Sequence, residues 1–109
     1  MMEHNFYKSA KWKHKREIIL KRDEYLCQEC KRYGKTTQAT TVHHIIPLTW
    51  CLIYNIALAL ANINLISLCE KCHNKMHDRD SDKLTSFGLA WVKKIGKIGL
   101  DWIEKYSEK

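Results

Sequence analysis

A chain of 109 residues, 45% of them apolar, has room for one domain, or one domain with a helical appendage. So small a core usually needs a metal or disulfides as a staple, and five cysteines, an odd number, exclude a disulfide framework with every thiol paired. The net charge of +7 is uneven: residues 1–35 hold +5 of it and residues 36–109 hold +2. That balance suits a polyanion such as nucleic acid, with an ordinary basic soluble protein as the competing reading.

The first residues, Met-Met-Glu-His-Asn, are polar, and no charged stretch precedes an apolar run. No secretory leader is expected. A cytoplasmic location follows, where a reducing milieu favours metal over disulfide at paired thiols.

Lys11–Asp23 reads as a helix with Trp12, Ile19 and Leu20 on one face and Lys/Arg on the others. Tyr25–Lys35 reads as a metal knuckle, with Cys27 and Cys30 on a tight turn and Gly34 as a breaker. Thr40–Ile46 is β-branched and predicts a strand stopped by Pro47. Trp50–Ala61 predicts a short helix or a buried loop, and Asn62–Leu68 a short extended segment.

Between Thr36 and Cys69 there is no Asp, Glu, Lys or Arg. The 45–68 stretch is long enough to suggest a membrane span. Pro47, three asparagines and the two histidines just before it argue instead for a buried core segment. No membrane association is expected.

Cys72–Arg79 reads as the start of a helix. Leu84, Phe87, Trp91, Ile95, Ile98 and Trp102 then step by three or four. Gly88, Gly96 and Gly99 each weaken that helix by about 1 kcal/mol, so a kink or two shorter helices are expected over about 82–106. Trp91 and Trp102 are candidates for packing against a partner.

The thiols come as two CxxC pairs, Cys27/Cys30 and Cys69/Cys72, with 38 residues between them. Each CxxC turn presents two sulfurs to one side of an ion, so two turns complete a tetrahedral zinc. The loop between the pairs can hold a whole strand–loop–strand unit, which the zinc would tie at both ends. A redox dithiol would need a βαβ pattern, which is absent. Cys51, alone in an apolar run, reads as a small buried hydrophobe.

His43 and His44 are adjacent on the expected strand, where successive side chains point to opposite faces. One can ligate a metal while the other approaches a substrate. His73 and His77 are four apart and on a helix would share a face. Three imidazoles leave positions open for water and a phosphate oxygen.

The segments VHHIIPL, NLISLC and CEKCHNKMH, with His44, Asn64 and His73 at their centres, resemble the HNH endonucleases. The likeness is to the zinc-containing, phage-type branch, whose two CxxC pairs flank the nuclease unit. It covers about residues 20–78 of a single domain spanning 1–109. It implies an α+β fold: a small ββα-metal (His-Me finger) core, a structural zinc knuckle, and flanking N- and C-terminal helices.

The resemblance further implies a metal-dependent cut of DNA phosphodiester bonds, by nicking or double-strand cleavage, leaving 5′-phosphate and 3′-hydroxyl ends. In it His44 is the general base, helped by a near-neutral pKa. Asn64 braces the hairpin and the base. His43 and His73 hold the catalytic ion (Mg²⁺, Mn²⁺, Ni²⁺ or Zn²⁺) with His77 as a third ligand, and that ion meets a non-bridging and the leaving 3′ oxygen.

Double-stranded DNA is the expected partner, in a phage-encoded or host bacterial setting, together with a packaging partner such as a terminase. Lys11, Lys13, Lys15, Arg16, Lys21 and Arg22 are candidates for sequence-neutral backbone contacts, against an ordinary solvated helix face. Lys75 is a candidate for phosphate contact and Asn74 for metal or phosphate contact, each against a plain surface role. The uncharged 49–63 loop departs from the acidic or Gly/Asp-rich loop of many members.

A non-catalytic zinc module that binds nucleic acid would use the same cysteines and charge, but gives no reason for His43, His44, His73 and His77 to accompany Asn64. A zinc deaminase needs a His-x-Glu motif, and no Glu follows His43 or His44. A nuclease fold kept for packaging without activity is disfavoured by the intact His44.

Overall fold

A computed structural model describes residues 2–78, 80–81 and 83–106. The expected stretches that reach Met1, Arg79, Asp82 and residues 107–109 extend outside the described residues. Two helices open the chain, α1 (Met2–Lys8) and α2 (Ala10–Arg22). Ser9 caps α2, its hydroxyl accepting from the Trp12 amide at 3.1 Å. The helical spacing of Trp12, Ile19 and Leu20 holds: all three are buried, against Ala39, Val42 and Leu65.

The knuckle helix α3 (Gln28–Arg32) follows, and Gly34 leaves it at φ +78°, a left-handed conformation that glycine adopts without strain. Strands β1 (Thr41–His44) and β2 (Leu65–Leu68) pair antiparallel, with His43 opposite Ile66 and His44 opposite Leu65. β1 is shorter than expected at both ends. Val42 through Ile46 are all buried, because α2 covers one face of the hairpin and the second core the other. That core gathers Ile45, Ile46, Leu58, Ile66, Leu68, Met76, Val92 and Trp102. Each such side chain, fully buried, stabilises the fold by about 1.5–3 kcal/mol.

Between the strands lie α4 (Leu48–Tyr54) and 3-10 turns at Ile56–Leu60 and Asn62–Asn64. This segment is only half of the buried floor that its composition suggests. Cys51, Leu58 and Ala59 are buried, whereas Ile53, Tyr54 and Ile56 are 56%, 67% and 67% exposed. No helix among the described residues is long and apolar enough to cross a membrane.

After β2 comes α5 (Glu70–Asn74), which stops earlier than expected. The Thr85 hydroxyl donates to the Lys75 carbonyl at 2.5 Å and the Thr85 amide to the Met76 carbonyl at 2.9 Å, so the chain turns away with its carbonyls satisfied. Helices α6 (Ser86–Lys94) and α7 (Lys97–Tyr106) complete the order, parted at Gly96. Gly99 lies so close to the Val92 backbone that a Cβ has no room there.

Trp102 is buried in the core rather than offered to a partner. Trp91 is engaged within the chain: its Nε1 donates to Glu29 Oε1 at 2.8 Å, and Arg32 donates to the same oxygen at 3.0 Å. This buried carboxylate fastens α6 to the knuckle.

Candidate metal centres and hydrolytic site

The four thiols of the two CxxC pairs converge. One sulfur from each of Cys27, Cys30, Cys69 and Cys72 lies within 4.8 Å of every other, and among the described residues no other set of His, Cys, Asp or Glu side chains gathers so closely. Cys27 and Cys69 cap α3 and α5, and Cys30 and Cys72 sit inside those helices, so the two helix starts face each other. Bonds of about 2.3 Å in a tetrahedron place sulfurs about 3.8 Å apart. Cys30 Sγ lies 3.9 Å from Cys69 Sγ and 3.7 Å from Cys72 Sγ, which fits a single zinc-sized ion.

The thiols differ in readiness. A hydrogen bond with the Thr37 side chain, helped by the neighbouring cysteines, brings Cys30 down to about 7, whereas burial pushes Cys27 and Cys72 up. Metal binding must displace those protons, so affinity rises with pH. Burial also raises Cys51 to about 11, in line with an inert thiol.

The adjacent histidines of β1 point to opposite faces, as the strand period requires. His43 meets His73 of α5, ring centres 5.3 Å apart, and His77, ring centres 5.7 Å apart. Three imidazoles bound to one ion at about 2.0–2.1 Å would set their ring centres about 5 Å apart. His77 arrives by a route the spacing does not predict. It lies beyond the end of α5, in a bridge with Leu84, and reaches His43 through the turn of the chain rather than along a shared helix face.

His43 Nε2 is buried without a hydrogen-bond partner, the condition of an atom that an ion would satisfy. Burial and the neighbouring imidazoles push His43 well below its ordinary value, and burial and His77 lower His73. Both are therefore neutral at pH 7, the form that binds metals.

His44 faces the other way. Its ring stacks on Trp12 at 5.0 Å with 25° between planes, and meets Phe6 edge-on at 5.6 Å. Its Nε2 lies 3.0 Å from the Ala59 carbonyl oxygen. A carbonyl only accepts, so Nε2 carries the hydrogen and Nδ1 keeps the lone pair. The expected near-neutral value is not found: burial, only partly countered by Ala59, brings His44 down to about 4. At pH 7 the ring is neutral and able to accept a proton, with a weaker thermodynamic pull than a pKa near 7 would give.

Asn64 is wholly buried at the entry to β2. Its Oδ1 accepts from the Ile46 amide at 2.6 Å, and its Nδ2 donates to the Ile46 and Leu58 carbonyls at 3.2 Å each. It thereby holds the chain leaving β1 to the turn that carries Ala59. The link to His44 runs through Leu58 and Ala59. Asn64→Ala strands the Ile46 amide and two carbonyls, and we expect a loss of about 3 kcal/mol in urea denaturation of the metal-loaded protein. An unchanged midpoint would contradict this bracing role.

The basic candidates divide. Arg16 lines the same cleft as the four histidines, with Nη2 bonded to the Thr40 carbonyl at 3.2 Å. Lys11, Lys13 and Lys21 are exposed on α2. Lys15 donates to Asn62 Oδ1 at 2.6 Å. Arg22 serves as an internal clasp: it pairs with Asp23 at 2.8 Å and donates to the carbonyls of Asn62 and Leu65. Lys75 lies 5.0 Å over the Phe87 ring, and Asn74 is exposed.

Nothing in the sequence marks Ala59 as the partner of His44, or Phe6 and Trp12 as its neighbours. A backbone carbonyl leaves no trace in residue identity. The aromatic pair looked only like the apolar face of a helix.

Comparison with known proteins shows the family. The HNH endonuclease family model matches residues 27–79. A probable HNH endonuclease of Lactococcus phage SK1 is 34% identical over 73 residues, covering 67% of this chain and 76% of that protein. The crystal structure of the HNH endonuclease of the deep-sea thermophilic bacteriophage GVE2, with a manganese ion, is 40% identical and aligns with a TM-score of 0.59. That alignment covers 67% of this chain and 75% of the other.

Proposed function

The chain belongs to the HNH endonuclease family, and as such is a nuclease; from that premise we propose that it hydrolyses DNA phosphodiester bonds, as a phage- or prophage-type enzyme. The observation that carries the reading is the division of labour on β1. His43 turns to His73 and His77, and its neighbour His44 turns to the Ala59 carbonyl, at one cleft.

In this reading His44 Nδ1 accepts a proton from the attacking water. The Ala59 carbonyl fixes the ring's tautomer and steadies the imidazolium that forms. Trp12 holds the ring plane. His43, His73 and His77 would hold the hydrolytic ion, which supplies charge neutralisation at the phosphate and the leaving oxygen. The manganese of the bacteriophage GVE2 relative makes Mn²⁺ a natural choice beside Mg²⁺ and Ni²⁺. Zinc in the four thiols would hold the fold alone.

Arg16 is the cation placed to meet a phosphate in the cleft, while Lys11, Lys13 and Lys21 add sequence-neutral attraction. Supercoiled plasmid tests the proposal. Nicking or linearisation that depends on Mg²⁺, Mn²⁺ or Ni²⁺ and stops on chelation supports it. No cleavage by folded, zinc-loaded protein with any of these ions contradicts it.

A further inference from the structure

The histidines share a cleft of about 920 Å³ with a set of side chains that hydrolysis does not use. Helix α4 lends Trp50, Ile53 and Tyr54 to its lining, and α1 lends Tyr7. Trp50 and Tyr54, one helical turn apart, have ring centres 5.3 Å apart and planes inclined by 36°. Tyr54 is 67% exposed, Ile53 56% and Tyr7 44%. Arg16 is the one Lys or Arg among the described lining residues.

This wall does not suit the phosphate backbone of a duplex. Aromatic faces offer nothing to a phosphate, and within a duplex the base faces are covered by their own stacking. A base that has left the stack presents a π-face, and exposed tyrosine and tryptophan rings accept it whatever its sequence. The wall is continuous with the histidine cleft, so such a base would belong to a nucleotide beside the one whose phosphate is cut. The chain's net charge of +7 brings the same polyanion to both.

We infer that Tyr54, backed by Trp50, forms a stacking subsite for an unstacked nucleobase next to the scissile phosphate, so that unpaired DNA is preferred over duplex. The inference rests on the nuclease reading for its place in the reaction. Its chemistry, a ring stacked on a base, stands apart from cleavage. Unpaired positions come without the unstacking cost that a duplex imposes, which gives the preference its direction.

Binding tests it without cleavage. The full-length, zinc-loaded His44→Ala protein is titrated into a 20-nucleotide single strand and its duplex, each carrying 2-aminopurine at one position. With the tyrosine present, 2-aminopurine in the single strand is quenched on binding. Adding Tyr54→Ala weakens single-strand binding about tenfold and removes the quenching. Tyr54→Phe restores both, and duplex affinity changes less than about twofold.

Single-strand binding untouched by Tyr54→Ala would overturn the inference. So would equal losses for single strand and duplex, which mark a general contact, or a dimer of the chain that Tyr54→Ala dissociates. Wild-type protein is assayed on plasmid in parallel. A wild type that cuts while Tyr54→Ala binds single strands normally removes the subsite alone. A wild type that never cuts, with quenching intact, removes the nuclease reading and leaves the subsite.

Discussion

Cys72→Ser is expected to leave the protein unfolded at neutral pH, with far-UV helical signal largely lost and no tightly held zinc. The reason lies in what the four thiols join. Cys30 and Cys69 bracket the entire β1–α4–β2 unit, so an ion held by the four thiols would close the loop that carries His43, His44 and Asn64. Structural zinc sites contribute about 10–16 kcal/mol of apparent binding free energy, against a net stability of about 5–15 kcal/mol for a whole domain. Losing the ion therefore exceeds what the two apolar cores can offset.

The damage spreads to the C-terminal helices. Glu29 sits between the first two cysteines and holds Trp91 of α6. Tryptophan fluorescence should therefore shift as the zinc leaves, whether by substitution or by a strong chelator. A cooperative thermal transition and native-like circular dichroism in metal-free Cys72→Ser would contradict a zinc-dependent fold.

His43→Ala has the second large effect, and of a different kind. It removes the most enclosed imidazole of the proposed hydrolytic cluster while leaving the four thiols and the hairpin pairing in place. Outer partners of metal ligands are alone worth about 10–100-fold in affinity, so losing a direct ligand weakens Mn²⁺ binding by more than about 100-fold. Plasmid cleavage at fixed Mn²⁺ falls with it and recovers in part at high Mn²⁺. Zinc content stays at one ion per chain. Calorimetric titration with Mn²⁺ reads the affinity directly. Unchanged Mn²⁺ affinity in folded His43→Ala would place the ion elsewhere.

The chemistry was more legible in the chain than the architecture that presents it. Cysteine spacing translates directly into a tetrahedron, and the alternation of a strand separates His43 from His44 without reference to the rest of the molecule. Those are local rules, and both describe the structure. His77 shows their limit. The i, i+4 spacing to His73 predicts a shared helix face, yet Thr85 captures the carbonyls of Lys75 and Met76 and ends α5 early. The ring still reaches His43, by tertiary bonds that no periodicity encodes.

The uncharged 45–68 stretch departs from its expected burial for a related reason. Composition without charge reads as burial, but a short helix at a cleft edge can leave Ile53 and Tyr54 in solvent. The low value of His44 was equally out of reach, because α1 and α2 supply the aromatic cover that desolvates it. Arg22 looked like one more cation on a basic helix face. Its bonds to the Asn62 and Leu65 carbonyls appear only once α2 lies against the chain entering β2.

The comparison of His44→Ala with wild type on supercoiled plasmid, at saturating Mn²⁺, is the most direct test of the division between base and ligand. A general base contributes about 10²–10⁴-fold. The account predicts a fall of that size in His44→Ala, with zinc content, circular dichroism and Mn²⁺ affinity unchanged. Cleavage at the wild-type rate by the folded, metal-loaded variant would contradict it and remove His44 from the reaction.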